Sequence, residues 1–70
     1  MNTTRNVRFV LEVDSGDDAL TADPFGELHT MLGNAVEKVR TGNTMGLLWD
    51  SNGNRVGSWK LVLEKGVAND

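Results

Sequence analysis

Seventy residues with seven Lys+Arg against ten Asp+Glu carry a net charge of −3 and a pI near 4.9. A chain this short builds one domain (1–70), whose lone core supplies no more than about 3–5 kcal/mol of net stability; having no cysteine and a single histidine, His29, it offers neither a disulfide nor a zinc-ligand set. The acidic balance opposes sequence-independent attachment to phosphate backbones, so direct nucleic-acid binding is disfavoured, although Arg5, Arg8 and Lys60 could form a local basic patch.

The stretch Met1–Val7 lacks the apolar segment of a secretory signal, and no apolar run approaches the roughly 20 residues of a membrane span. The expectation is a cytoplasmic protein without membrane attachment, in the host cytoplasm if phage-encoded. From Val7 to Val13 the apolar residues Val7, Phe9, Leu11 and Val13 alternate with Arg8, Val10 and Glu12, a period of two that predicts a half-buried strand. Asp14 to Asp23 holds Asp14, Asp17, Asp18 and Asp23 with Gly16 and no regular apolar spacing, and reads as an acidic loop.

Asp23-Pro24 predicts a helix start, because an aspartate can accept an orphan backbone N–H and proline at the first helical position sacrifices no intrahelical bond. The helix is expected from Pro24 to Thr41. Phe25, Leu28, Met31, Leu32, Ala35, Val36 and Val39 then fall on one stripe, Lys38 and Arg40 suit the negative end of the dipole, and Gly42 is placed for a left-handed cap. Gly26 and Gly33 weaken the helix by up to about 1 kcal/mol each relative to alanine.

Met45–Trp49 and Val56–Leu63 flank Asp50-Ser-Asn-Gly-Asn54 and form a hairpin. A two-residue Asn52-Gly53 loop would divide the two tryptophans between opposite faces. A three-residue loop, Ser51 to Gly53, with Gly53 left-handed sets Asp50 opposite Asn54, Leu47 opposite Gly57 and Met45 opposite Trp59. This second register is preferred, since it gathers Met45, Leu47, Trp49, Trp59, Leu61 and Leu63 on one face without a bulge. The fold class expected is α+β, β-α-β-β, a three-stranded mostly antiparallel sheet of order 2-3-1 under one helix; order 3-2-1, with a parallel pair at its centre, stays open.

Asp50-Ser-Asn52-Gly-Asn54 superficially matches the start of a calcium loop, but Arg55 stands where glycine is needed and Leu61 where the bidentate glutamate belongs, so turn chemistry explains it better. The aspartates of the acidic loop have no metal-ligand spacing, and a solvated loop is the plain reading. His29 has no nucleophile or orienting partner in sequence reach, and stacking of bases on Trp49 and Trp59 lacks the basic interleaving such platforms use. No catalytic residue, metal or cofactor is expected. The outer sheet face, formed by Arg8, Val10, Glu12, Leu48, Val56, Ser58, Lys60, Val62 and Glu64, exposes four apolar residues with no second helix to cover them. Scattered exposed apolar side chains are common, yet a patch of this kind also marks an interface.

The segment Leu47-Leu-Trp-Asp-Ser-Asn-Gly-Asn-Arg-Val-Gly-Ser-Trp59 resembles the hairpin of short proteins of phages and mobile elements, which carry a strand, an acidic loop, a helix and an Asp-x-Asn-Gly-Asn-x-Val-Gly turn. The resemblance implies a setting in which small acidic domains, anti-CRISPR proteins among them, inhibit host defence by occluding a surface of their target. The expected function is therefore a non-enzymatic protein-binding module, a phage-type inhibitor of a host nucleoprotein complex. Val10, Leu48, Val56 and Val62 on the sheet and Asp14, Asp17, Asp18 and Asp23 in the loop, with Glu12 and Glu27, are the binding residues. A homodimer through the open sheet face is the self-association it implies, and a free strand edge could extend the pairing into a partner. The alternative is a small nucleic-acid-binding or regulatory protein using Arg5, Arg8, Arg55 and Lys60.

Overall fold

A computed structural model describes residues 4–66; residues 1–3, part of the stretch on which the leader expectation rests, lie outside them. The elements run β1 (Thr4–Val13), α1 (Asp18–Ala22), α2 (Pro24–Arg40), β2 (Met45–Trp49) and β3 (Arg55–Lys65). All three strands join one sheet of order β1-β3-β2, with both pairings antiparallel. The long third strand takes the central place, as its apolar content predicts, and order 3-2-1 is ruled out.

Helix α2 begins and ends where its local chemistry dictates. The Asp23 carboxylate accepts from the Gly26 N–H at 3.1 Å and Pro24 opens the first turn. At the other end Gly42 takes φ +96°, its N–H donates to the Val39 carbonyl, and the Asn43 N–H reaches back to Lys38 O. The fold departs from one helix to two, because Asp18–Ala22 within the acidic segment is a short helix, α1. Its single buried residue, Leu20, lies in the core, and one buried residue per turn and a half leaves no periodic signal to read.

The hairpin holds both a confirmation and a correction. The loop is the three-residue one: Gly53 has φ +84°, its N–H donates to Asp50 O at 3.0 Å, and the Asp50 N–H donates to Asn54 O at 2.9 Å. Trp49 then opposes Arg55, but Leu48 opposes Gly57, so Val56 is an extra residue on β3, a β-bulge. Past the bulge the register is displaced by one, Gly46 faces Trp59, and the whole of β2 is turned over relative to the expectation. Leu48 and Val56 therefore belong to the buried core, and Trp49, 53% exposed, points away from the face where Trp59 is 3% exposed. Space explains the outcome. A Cβ on Gly46 would collide with the Trp59 indole, so Gly46 is the gap into which the ring fits; the bulge-free register would have set Met45 there instead.

The core is Leu20, Met31, Ala35, Leu48, Val56 and Trp59, with Leu11, Val13, Leu28, Val39 and Leu61 packed at its margin. Only half of the apolar arc of α2 reaches it. Met31 and Ala35 are buried, whereas Phe25, Leu32 and Val36, a quarter-turn round the helix, are exposed, Phe25 by 86%. The predicted stripe is wider than the sheet beneath it.

Candidate functional site

The outer face of the sheet is assembled by strand alternation. β1 contributes Arg8, Val10 and Glu12, which pair with Val62, Lys60 and Ser58 of β3; directly opposed residues of an antiparallel pair share a face. On the other side of β3, Met45 pairs with Lys60 and Leu47 with Ser58, and Trp49 pairs with Arg55. Met45 is 72% exposed, and Leu47, Trp49 and Val62 are exposed as well, with Val10 half-buried on β1 across Lys60 from Met45. The result is an apolar band crossing all three strands, with Arg8, Lys60 and Arg55 among its polar neighbours and Glu12 beside it.

Of the sheet residues expected to bind a partner, Val10 and Val62 are on this face. Leu48 and Val56 are not, since the bulge carries both into the core. Met45, Leu47 and Trp49 take their place, and the face is more apolar for the exchange. The signal for them was present as the alternation Met45, Leu47, Trp49; its polarity depended on the bulge.

The acidic residues do not converge. Asp14 follows β1, and its N–H donates to Val56 O at 3.1 Å. Asp17 precedes α1, its N–H donating to Ser15 Oγ at 3.0 Å, while Asp18 is the first residue of that helix and is exposed. Asp23 is occupied in capping α2. Glu27 is also engaged, its Oε1 accepting from the Ser51 N–H at 2.8 Å and tying the helix to the hairpin loop. Among the described residues no three His, Asp or Glu side chains come together as a metal-binding group. The carboxylate of Asp50 is buried but spent on its own loop, accepting from Asn52 N–H at 2.9 Å and Asn54 N–H at 2.8 Å. His29 stands exposed on α2, and Arg5 makes an exposed ion pair with Glu64 at 3.5 Å.

No described helix is long and apolar enough to cross a membrane. No family model, curated protein or solved structure matches the chain. The open sheet face is thus the feature from which a function has to be argued.

Proposed function

We propose that this chain is a non-enzymatic protein-binding module that occludes a surface of its partner with the outer face of its sheet. The observation that carries the reading is the outward set of Met45, Leu47 and Trp49 on β2, Val62 on β3 and Val10 on β1. Burying such a band returns roughly 25 cal/mol per Å² of apolar surface removed from water, and the interleaved Arg8, Glu12, Lys60 and Arg55 supply a charged rim that selects partners. Trp49, exposed at the hairpin end of this band, adds the residue type that most often anchors binding energy. The hairpin resemblance supports a phage-type inhibitor of a host nucleoprotein complex, acting in the host cytoplasm, as the biological role.

The test is direct competition. A purified CRISPR effector ribonucleoprotein is titrated with the chain while its binding to target DNA is measured. The expected result is inhibition by the native chain and loss of inhibition for Leu47→Lys/Val62→Lys with an unchanged circular dichroism spectrum. Equal inhibition by both proteins removes the sheet face from the reading, and no inhibition by either removes the effector as target.

One observation favours a second reading. Trp49 lies outward and opposite Arg55, and an exposed ring beside a cation is the minimum of a single-strand stacking platform. Fluorescence polarisation with labelled single-stranded oligonucleotides separates the two: affinity that falls steeply as salt rises and is lost in Trp49→Ala belongs to nucleic-acid binding.

A further inference from the structure

Among the described residues, strand β1 has one hydrogen-bonded neighbour, β3, and no strand on its outer edge. The Asp14 N–H donates to Val56 O, and Glu12, Val10 and Arg8 continue that series opposite Ser58, Lys60 and Val62. Even-numbered residues therefore turn their backbone groups toward β3. By the alternation of an antiparallel ladder, Val7, Phe9, Leu11 and Val13 turn theirs to the open side. Edges that proteins leave unpaired are usually short, bulged, or blocked by lysine or proline. From Asn6 to Val13 β1 runs in regular register and carries neither residue; its irregularity lies beyond, between Thr4 and Asn6.

The side chains of the same strand are divided in a complementary way. Val7 and Phe9 lie on the helix side of the sheet yet are 58% and 47% exposed. Neither is part of the buried core, and past Leu61, whose N–H donates to Thr44 O at 2.7 Å, the β1–β3 ribbon runs on without β2 beside it. At the other end of the strand, Leu11 and Val13 floor an open trough walled by Leu20, Pro24 and Leu28.

We propose that two copies of this chain pair edge to edge through β1, antiparallel, about a two-fold axis at Val10, joining their sheets into one. Phe9 then faces Leu11 of the second copy and Val7 faces its Val13, outward backbone groups meeting outward backbone groups. Arg8 faces Glu12 of the second copy, and symmetry repeats that pair on the other side of Val10. This register pairs the charges Arg8 and Glu12 inside the regular strand; the slide that sets Glu12 opposite Val10 moves the charge pair to Arg8 and Asp14, beyond the end of β1. Sliding by two residues sets either Arg8 or Glu12 opposite Val10, and sliding by one mismatches both the backbone groups and the faces. The same pairing lays Val7 and Phe9 of each copy beside the trough of the other, so the exposed apolar end of one strand covers the open end of its mate. On the outer face only the β1 residues Arg8, Val10 and Glu12 meet in this contact; Met45, Leu47, Trp49 and Val62 take no part in it, and the dimer does not rest on the binding function argued above.

Sedimentation equilibrium of the intact chain tests it. The native chain is expected to dimerise. Arg8→Glu and Glu12→Arg should each weaken the dimer by roughly tenfold or more, because symmetry applies the reversal twice, and Arg8→Glu/Glu12→Arg should restore it. Within one strand the two positions are about 13 Å apart, so restoration arises only between chains. Val10→Cys, which introduces the chain's sole thiol, should oxidise to a disulfide-linked dimer, since opposed non-hydrogen-bonded residues lie about 4.5 Å apart at Cα, within disulfide reach. Leu47→Lys/Val62→Lys should leave the dimer intact. A chain that stays monomeric up to its solubility limit, a double reversal no better than its single variants, or a dimer dissolved by the outer-face variant overturns the proposal.

Discussion

At the hairpin tip, one side chain organises a five-residue turn. Asp50 accepts from Asn52 N–H and Asn54 N–H with one oxygen and from the Asn54 amide at 3.3 Å with the other. Removing it deprives two backbone donors of their partner in a loop closed on itself. Asp50→Ala is expected to cost about 1–3 kcal/mol in urea denaturation, and Asp50→Asn, which keeps an acceptor oxygen, distinctly less. A loss of equal size in both variants would mean that the charge, not the acceptor, matters. This role was legible in the spacing of Asp50, Asn52, Gly53 and Asn54, because turn chemistry is local. The part played by Gly57 was not: a Cβ there would collide with the Glu12 carbonyl on β1, a residue far away in the chain.

Among the elements, α2 and the hairpin are linked by more than packing. Glu27, in the first turn of α2, accepts from the Ser51 N–H at 2.8 Å. Glu27→Ala is expected to free the loop, seen as faster amide exchange at Ser51 with little change at Trp59; Glu27→Gln, whose side-chain oxygen can still accept, should exchange near the native rate. If Ser51 exchanges alike in all three proteins, the tie does not restrain the loop. The sequence placed α2 almost to the residue, since Asp23, Pro24 and Gly42 act within a few positions of themselves. It left α1 within a loop because Leu20 is that helix's only buried residue. The reversal of β2 came from the bulge at Val56, and with it Leu48 and Val56 left the predicted interface while Met45, Leu47 and Trp49 entered it.

Viewed whole, the protein measures 52 × 20 × 17 Å with a radius of gyration of 15.3 Å, against about 11 Å for a compact chain of this length. The excess length is the β1–β3 ribbon beyond β2, and a two-stranded ribbon is marginally stable by itself in water. Edge pairing through β1 would support it, and its stability would then depend on protein concentration. Calorimetric scans across a hundredfold range of concentration are expected to show Tm rising by several degrees, a shift of about 2.7 kcal/mol in the folding equilibrium per dimer. A Tm independent of concentration would show that the single chain sustains the ribbon.

By itself the sequence determined the strand periods and the limits of α2, and it favoured the three-residue loop with its left-handed Gly53 and the central place of the longest strand. Each follows from interactions between residues close in the chain or from the simple apolar content of one segment. The tertiary structure alone decided which face of β2 is buried, how much of the α2 stripe finds a sheet to cover it, and which edge of β1 is left open. Those outcomes depend on the fit of the Trp59 indole over Gly46, on the approach of Glu12 to Gly57 and on the narrow width of a three-stranded sheet under a helix. They are set by excluded volume between segments distant in sequence, and a one-residue bulge, invisible to any period, turns every side chain of a strand to the opposite side.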